Sequence, residues 1–170
     1  PNGKLALEVW RALLEDEYCG YYSECIKSAI GNEYEKRLKQ NLEDWVLASG
    51  KILPLLQSFN LELTVIMLVS PIIIQSILIK YIFLGEHDLR TLGFDKTPDV
   101  VLDVPFATKD GAIINWIDSK AYFGNDDDHE KNLKEQLRCY WNRFGTGLVI
   151  YWFGFISDLL VSSLAEGILI

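Results

Sequence analysis

Apolar residues recur at helical spacing across residues 24–45, where Ile26, Ile30, Tyr34, Leu38, Leu42 and Trp45 form one stripe. A weaker repeat of the same kind, Leu5, Val9 and then Ala12 or Leu13, predicts a shorter helix over 5–18. At residue 100 the pattern changes. Residues 100–106 and 112–120 are dense in Val and Ile, and Thr108-Lys109-Asp110-Gly111 supplies turn chemistry between them, so the pair predicts a β-hairpin. Asn125 and the three aspartates after it form a cap and an acidic first turn. The helix they open carries Leu133, Leu137, Tyr140 or Trp141, and Phe144 on its core face, and Gly145 stops it. Residues 147–156 predict another buried strand, residues 166–170 a short one, and the polar stretch 85–96 a loop.

The segment 61–84 fits two descriptions. It carries no charge between Glu62 and Lys80, which suits a membrane span, but Ser70, Pro71 and Gln75 interrupt it. The other description is a pair of buried elements broken at Ser70-Pro71, at least one of them a strand. A single span would place Glu35 and Asp99 on opposite sides of about 30 Å of hydrocarbon.

Composition narrows the class. A chain of 170 residues, 49% hydrophobic and 12% aromatic, suits one domain with a proper core and excludes a disordered tail. A formal charge of −8 provides no overall field toward nucleic acid. Binding of that kind would need a local basic patch, for which Lys36, Arg37, Lys39, Arg138 and Arg143 are candidates. Three cysteines without a C-x-x-C pair predict a reduced, intracellular setting, in nucleus or cytoplasm. No signal peptide is recognisable at the N-terminus.

The chemistry concentrates at one end of the hairpin. Asp118 and Lys120 are two apart on a strand and share a face. A regular hairpin brings Asp99 to the level of Lys120, one pair from Asp118. Two carboxylates and an ammonium at one sheet end point to metal-dependent chemistry. On the first long helix, Glu33 and Glu35 flank the apolar stripe on opposite sides, each about 100° from its centre. Either can reach a neighbouring sheet, or both are solvated helix-face residues.

The order helix, apolar segment, hairpin, helix, strand resembles the αβββαβ core of the PD-(D/E)XK nuclease superfamily, an α/β fold of restriction-endonuclease type with a mixed sheet flanked by helices. A narrower resemblance rests on Lys96-Thr97-Pro98-Asp99, Trp116-Ile117-Asp118-Ser119-Lys120, Tyr140-Trp141-Asn142-Arg143-Phe144-Gly145 and the run from Gly147 to Phe155. These look like the TPD-motif family. The resemblance implies a nuclease hydrolysing phosphodiester bonds of nucleic acid with Mg²⁺ or Mn²⁺. Asp99 and Asp118 would ligate the ion, Glu35 would be the third acidic group, and Lys120 would act on the attacking water. Glu35 is favoured over Glu33 because Gly31, Glu35 and Leu38 are similar to a G-x-x-x-E-x-x-L pattern of related nucleases. Gln136 and Tyr140 fit a Q-x-x-x-Y motif and would face the site. A large codanin-like scaffold protein is the partner the resemblance implies. It also divides the chain into 1–21, the remnant of an N-terminal helical region, and 22–170, a nuclease-like domain with an apolar insertion at about 47–84.

Simpler roles exist for the same residues. Lys120 suits a salt bridge that holds a strand end, and such folds can keep their shape without catalysis. His87 and His129 are expected in acidic, exposed surroundings, and two histidines give little support to a zinc site. Cys139 has no histidine neighbour and suits packing. Trp116, Trp141, Tyr151 and Trp152 can stack on bases but more often fill cores. The alternatives to a nuclease are therefore a catalytically weak binding module for the scaffold, and a membrane-anchored protein.

Overall fold

The computed structural model describes residues 2–15, 20–48 and 83–170. Helix α1 is Asn2–Glu15 and α2 is Tyr21–Ala48. Strand β1 (Phe83–Gly85) runs directly into the short helix α3 (Glu86–Thr91). The hairpin strands are β2 (Val100–Ala107) and β3 (Ile113–Lys120). Helix α4 (Asp126–Asn132) continues through one wide π turn (Leu133–Leu137) into α5 (Arg138–Phe144). Strand β4 (Gly147–Tyr151), helix α6 (Leu159–Ala165) and strand β5 (Ile168–Leu169) complete the chain. The expected helix-strand-strand-strand-helix-strand order is present, with β5 added.

The five strands lie side by side in chain order. β1, β2 and β3 pair antiparallel, whereas β4 and β5 join parallel, so the sheet is mixed. On one face Leu38 of α2 packs over Phe83, Val100, Leu102, Ile114 and Ile117. On the other, Leu133, Leu137 and Tyr140 cover Trp116, Val149, Tyr151 and Ile168. Of the two candidates for the core position, Tyr140 is buried and Trp141 is exposed. The stripe predicted on α2 buries only around Leu38 and Leu42, and both of its ends, Ile26 and Trp45, are exposed. Leu38 is enclosed and Leu42 packs beside it, while Ile26 is 58% exposed.

Four expectations need correction. Residues 86–91 form a helical turn instead of a loop, because the Asp88 carboxylate accepts the Gly85 amide at 3.2 Å and satisfies its N-terminus. Residues 152–156 do not continue β4; only Phe155 makes a bridge, to Gly124. The segment before β5 holds α6, which the pattern did not indicate. His129 is buried, with Nδ1 2.8 Å from the Tyr151 hydroxyl and Nε2 2.7 Å from Ser163 Oγ. Burial lowers its pKa, so it ties α4, β4 and α6 together as a neutral ring.

Asn125 caps α4 as expected, accepting the Asp128 amide at 2.8 Å. Gly145 takes φ 84° at the end of α5, a conformation that suits glycine. Trp116 is fully buried opposite Gly147 on β4, and its indole donates to the Gly145 carbonyl at 2.8 Å. A Cβ on Gly147 would stand 2.1 Å from the indole. Gly147→Ala should therefore displace the largest core side chain and lower stability by about 1–3 kcal/mol, which denaturant unfolding measures.

Among the described residues no helix is long and apolar enough to cross a membrane. The predicted run 61–84 lies mostly outside the described residues, except that Phe83 and Leu84 belong to β1. Glu35 and Asp99 line one cavity.

Candidate active site

Three layers of the fold meet at the C-terminal end of β3. Asp99 precedes β2 directly and follows the buried Pro98, whose ring fixes the approach of the chain. β2 is irregular between Val101 and Phe106. Past this irregularity Val100 pairs with Ile117, so continuing the register sets Asp99 opposite Asp118 and not opposite Lys120. The regular hairpin expected from the turn missed that shift. Its consequence is a closer carboxylate pair.

The Ser119 amide donates to Asp99 Oδ2 at 2.6 Å. Asp118 is 3% exposed, and its Oδ2 lies 2.7 Å from Lys120 Nζ. That contact is an ion pair without a well-directed hydrogen bond, so the buried oxygen keeps acceptor capacity. Lys120 also donates to Gln136 Oε1 at 2.9 Å, from the π turn. This second anchor fixes where the ammonium stands. Glu35 from α2 and Tyr140 from α5 line the same cavity, of about 470 Å³, with Asp99, Asp118, Lys120 and Gln136. All six residues singled out in the sequence therefore share one cavity. Glu33 is exposed on α2 and does not line it.

The electrostatics follow from burial of like charges. Asp99 is pushed up to about 8, first by desolvation and then by the charges of Asp118 and Glu35. Desolvation also raises Asp118, against the pull of Lys120. Glu35 is raised by burial, with Lys39 opposing and Glu86 and Asp118 adding to it. Burial presses Lys120 downward, but the Asp118 carboxylate outweighs it and the net shift is upward, so the ammonium stays charged. Tyr140 is held far above its ordinary value by burial and by the two aspartates, and remains a neutral donor.

Two neighbouring carboxylates, Asp118 buried with spare acceptor capacity and Asp99 half-buried and raised by the Asp118 charge, fit a hard divalent cation. Mg²⁺ is commonly held by one or two carboxylates and keeps several waters. Among the described residues no three His, Cys, Asp or Glu side chains close into a ready cage. The residues that would hold such an ion are Asp99 and Asp118, with Glu35 in the wall of the same cavity. Two further wall residues had no recognised role in the sequence. Glu86 opens α3 and is held by Arg90 at 2.5 Å, and it acts on Glu35 and Asp118 through its charge. Thr97, of the Thr-Pro-Asp sequence, is buried, and its hydroxyl has no partner among the described residues.

A family model described as a protein of unknown function with the TPD sequence motif matches residues 59–170. The chain belongs to the TPD-motif family. The match begins just before the apolar run 61–84 and continues through every strand described above. This TPD-motif chain is 40% identical over 159 residues to CDAN1-interacting nuclease 1 of Homo sapiens, covering 94% of the chain and 44% of that protein. The protein of the same name from Danio rerio is also 40% identical over 159 residues, with 41% of its length covered. That of Gallus gallus is 56% identical over 75 residues, which cover 44% of this chain and 27% of that protein. The chain thus spans roughly two-fifths of the length of the first two relatives. No solved structure matches it.

Proposed function

We propose that this chain is a divalent-metal-dependent nuclease that hydrolyses phosphodiester bonds of nucleic acid. One observation carries the reading: Asp99, Asp118 and Lys120 converge at one sheet end and open into a polar cavity. Mg²⁺ or Mn²⁺ bound there would neutralise phosphoryl oxygens and acidify a water. Asp99 and Asp118 hold the ion. Lys120, fixed between Asp118 and Gln136, orients the attacking water and offsets charge that develops on the phosphorus oxygens. Glu35, with its raised pKa, receives a proton more readily than an ordinary glutamate and suits transfer from that water. Tyr140 donates as a neutral phenol.

The relatives' name adds a second role, as partner of a codanin-like scaffold. In a binding module without catalysis, the Asp118–Lys120 pair would serve only to hold the strand end. Fluorescent oligonucleotides incubated with the protein separate the readings. Cleavage should appear with Mg²⁺ or Mn²⁺, disappear in EDTA and be absent in Asp118→Asn. Scaffold binding without cleavage in either ion would leave the module as the better account.

A further inference from the structure

Resting on the nuclease reading, we propose that the substrate strand leaves the catalytic cavity along α2, where Lys36 and Lys39 hold its next phosphates. Among the described residues, the cations that line the acidic cavity already have hydrogen-bond or ion-pair partners. Lys120 is committed to Asp118 and Gln136, Arg90 to Glu86, and Lys96 to the Glu135 carbonyl. A second cavity of about 410 Å³ shares Glu35 with the first and follows the α2 surface from Asn32 to Glu43. Its described lining lies wholly on α2, and at 1.5 Å per residue Asn32 to Glu43 spans about 16 Å, the scale of a short stretch of strand.

Lys36 and Lys39 stand in this groove three residues apart, and therefore on one helix face. Neither makes an ion pair or side-chain hydrogen bond with any described residue. Lys39 marks the junction. Its charge acts on Glu35, and its amine lies 4.0 Å from where a Cβ on Gly85 would be, beside Glu86 of the catalytic wall. Once Glu35 is engaged with the reacting centre, the groove holds two cations against the single carboxylate of Glu43. A chain of −8 net charge can grip a phosphate backbone only through such a local patch.

The test is the salt dependence of binding to a fluorescent single-stranded oligonucleotide, in Ca²⁺ to separate binding from cleavage. Each lost phosphate contact on a single strand lowers the steepness of the fall of log K with log salt by about 0.7. Lys36→Gln with Lys39→Gln should lower it by about 1.4, with an unchanged melting temperature. Lys109→Gln, in the hairpin turn at the far end of the sheet, should leave it unchanged. An unchanged slope in the double variant, with wild type still cleaving in Mg²⁺, overturns the path and leaves the nuclease reading intact. Wild type that neither cleaves nor binds overturns both. Loss of affinity for a polyglutamate peptide with oligonucleotide binding intact would assign the groove to an acidic protein partner instead.

Discussion

Lys120→Ala should lower phosphodiester cleavage by about 10³-fold while oligonucleotide affinity in Ca²⁺ changes little. In the proposed nuclease the ammonium acts on charge that develops during the reaction, and loss of one such donor typically costs about 10²–10³-fold in kcat. Lys120 should be at the upper end because it also orients the water. Its structural role is real as well. Without the ammonium, buried Asp118 loses its ion-pair partner at 2.7 Å and faces Asp99 unscreened. The variant should therefore be less stable than wild type in EDTA, and Mg²⁺ should restore stability without restoring the rate. Equal cleavage by wild type and variant, with only stability altered, would reduce Lys120 to a strand-end salt bridge. Parallel oligonucleotide cleavage and thermal melting, each with and without Mg²⁺, read all of these.

Asp99→Asn should stabilise the metal-free protein at pH 8 and have little effect near pH 4. The sign follows from the direction of the shift. An aspartate free in the unfolded chain titrates near 4, whereas Asp99 in the fold titrates at about 8. Between these values the native state holds a proton that the unfolded state has released, so stability present below about pH 4 is lost as pH rises toward 8. At about 1.4 kcal/mol per unit, the loss amounts to a few kcal/mol. Asparagine removes the charge and keeps an oxygen for the Ser119 amide, so the variant escapes this loss. Denaturant unfolding in EDTA at pH 4, 6 and 8 should show the difference growing with pH, and Mg²⁺ should shrink it by stabilising wild type alone. A variant less stable than wild type at pH 8 would mean that the Asp99 charge is already well compensated without a cation.

Much of this site was legible in the sequence, for local reasons. Asp118 and Lys120 share a face by the two-residue period of a strand, and Glu35 lies at the edge of a stripe that α2 packs on the sheet. Gln136 and Tyr140 were placed by family resemblance, and their side chains reach the cavity from the π turn and the helix after it. The errors arose where tertiary context decides. The register of Asp99 depends on an irregularity in β2 that turn chemistry at residues 108–111 does not encode. Glu86 escaped notice because a six-residue helix is too short to display a period. His129 follows three aspartates and therefore suggested solvent. It is buried by Ser163 on α6, an element whose short apolar sequence carried no clear helical signal.

The central claim is that Asp99 and Asp118 together hold a divalent cation. Calorimetric titration of Mn²⁺ into wild type and into Asp118→Asn, at pH 8 in metal-stripped buffer, tests it most directly. Binding by wild type that the variant loses, with the variant still folded by circular dichroism, is the predicted result. Equal Mn²⁺ affinity in both proteins, or no binding by wild type, would contradict it.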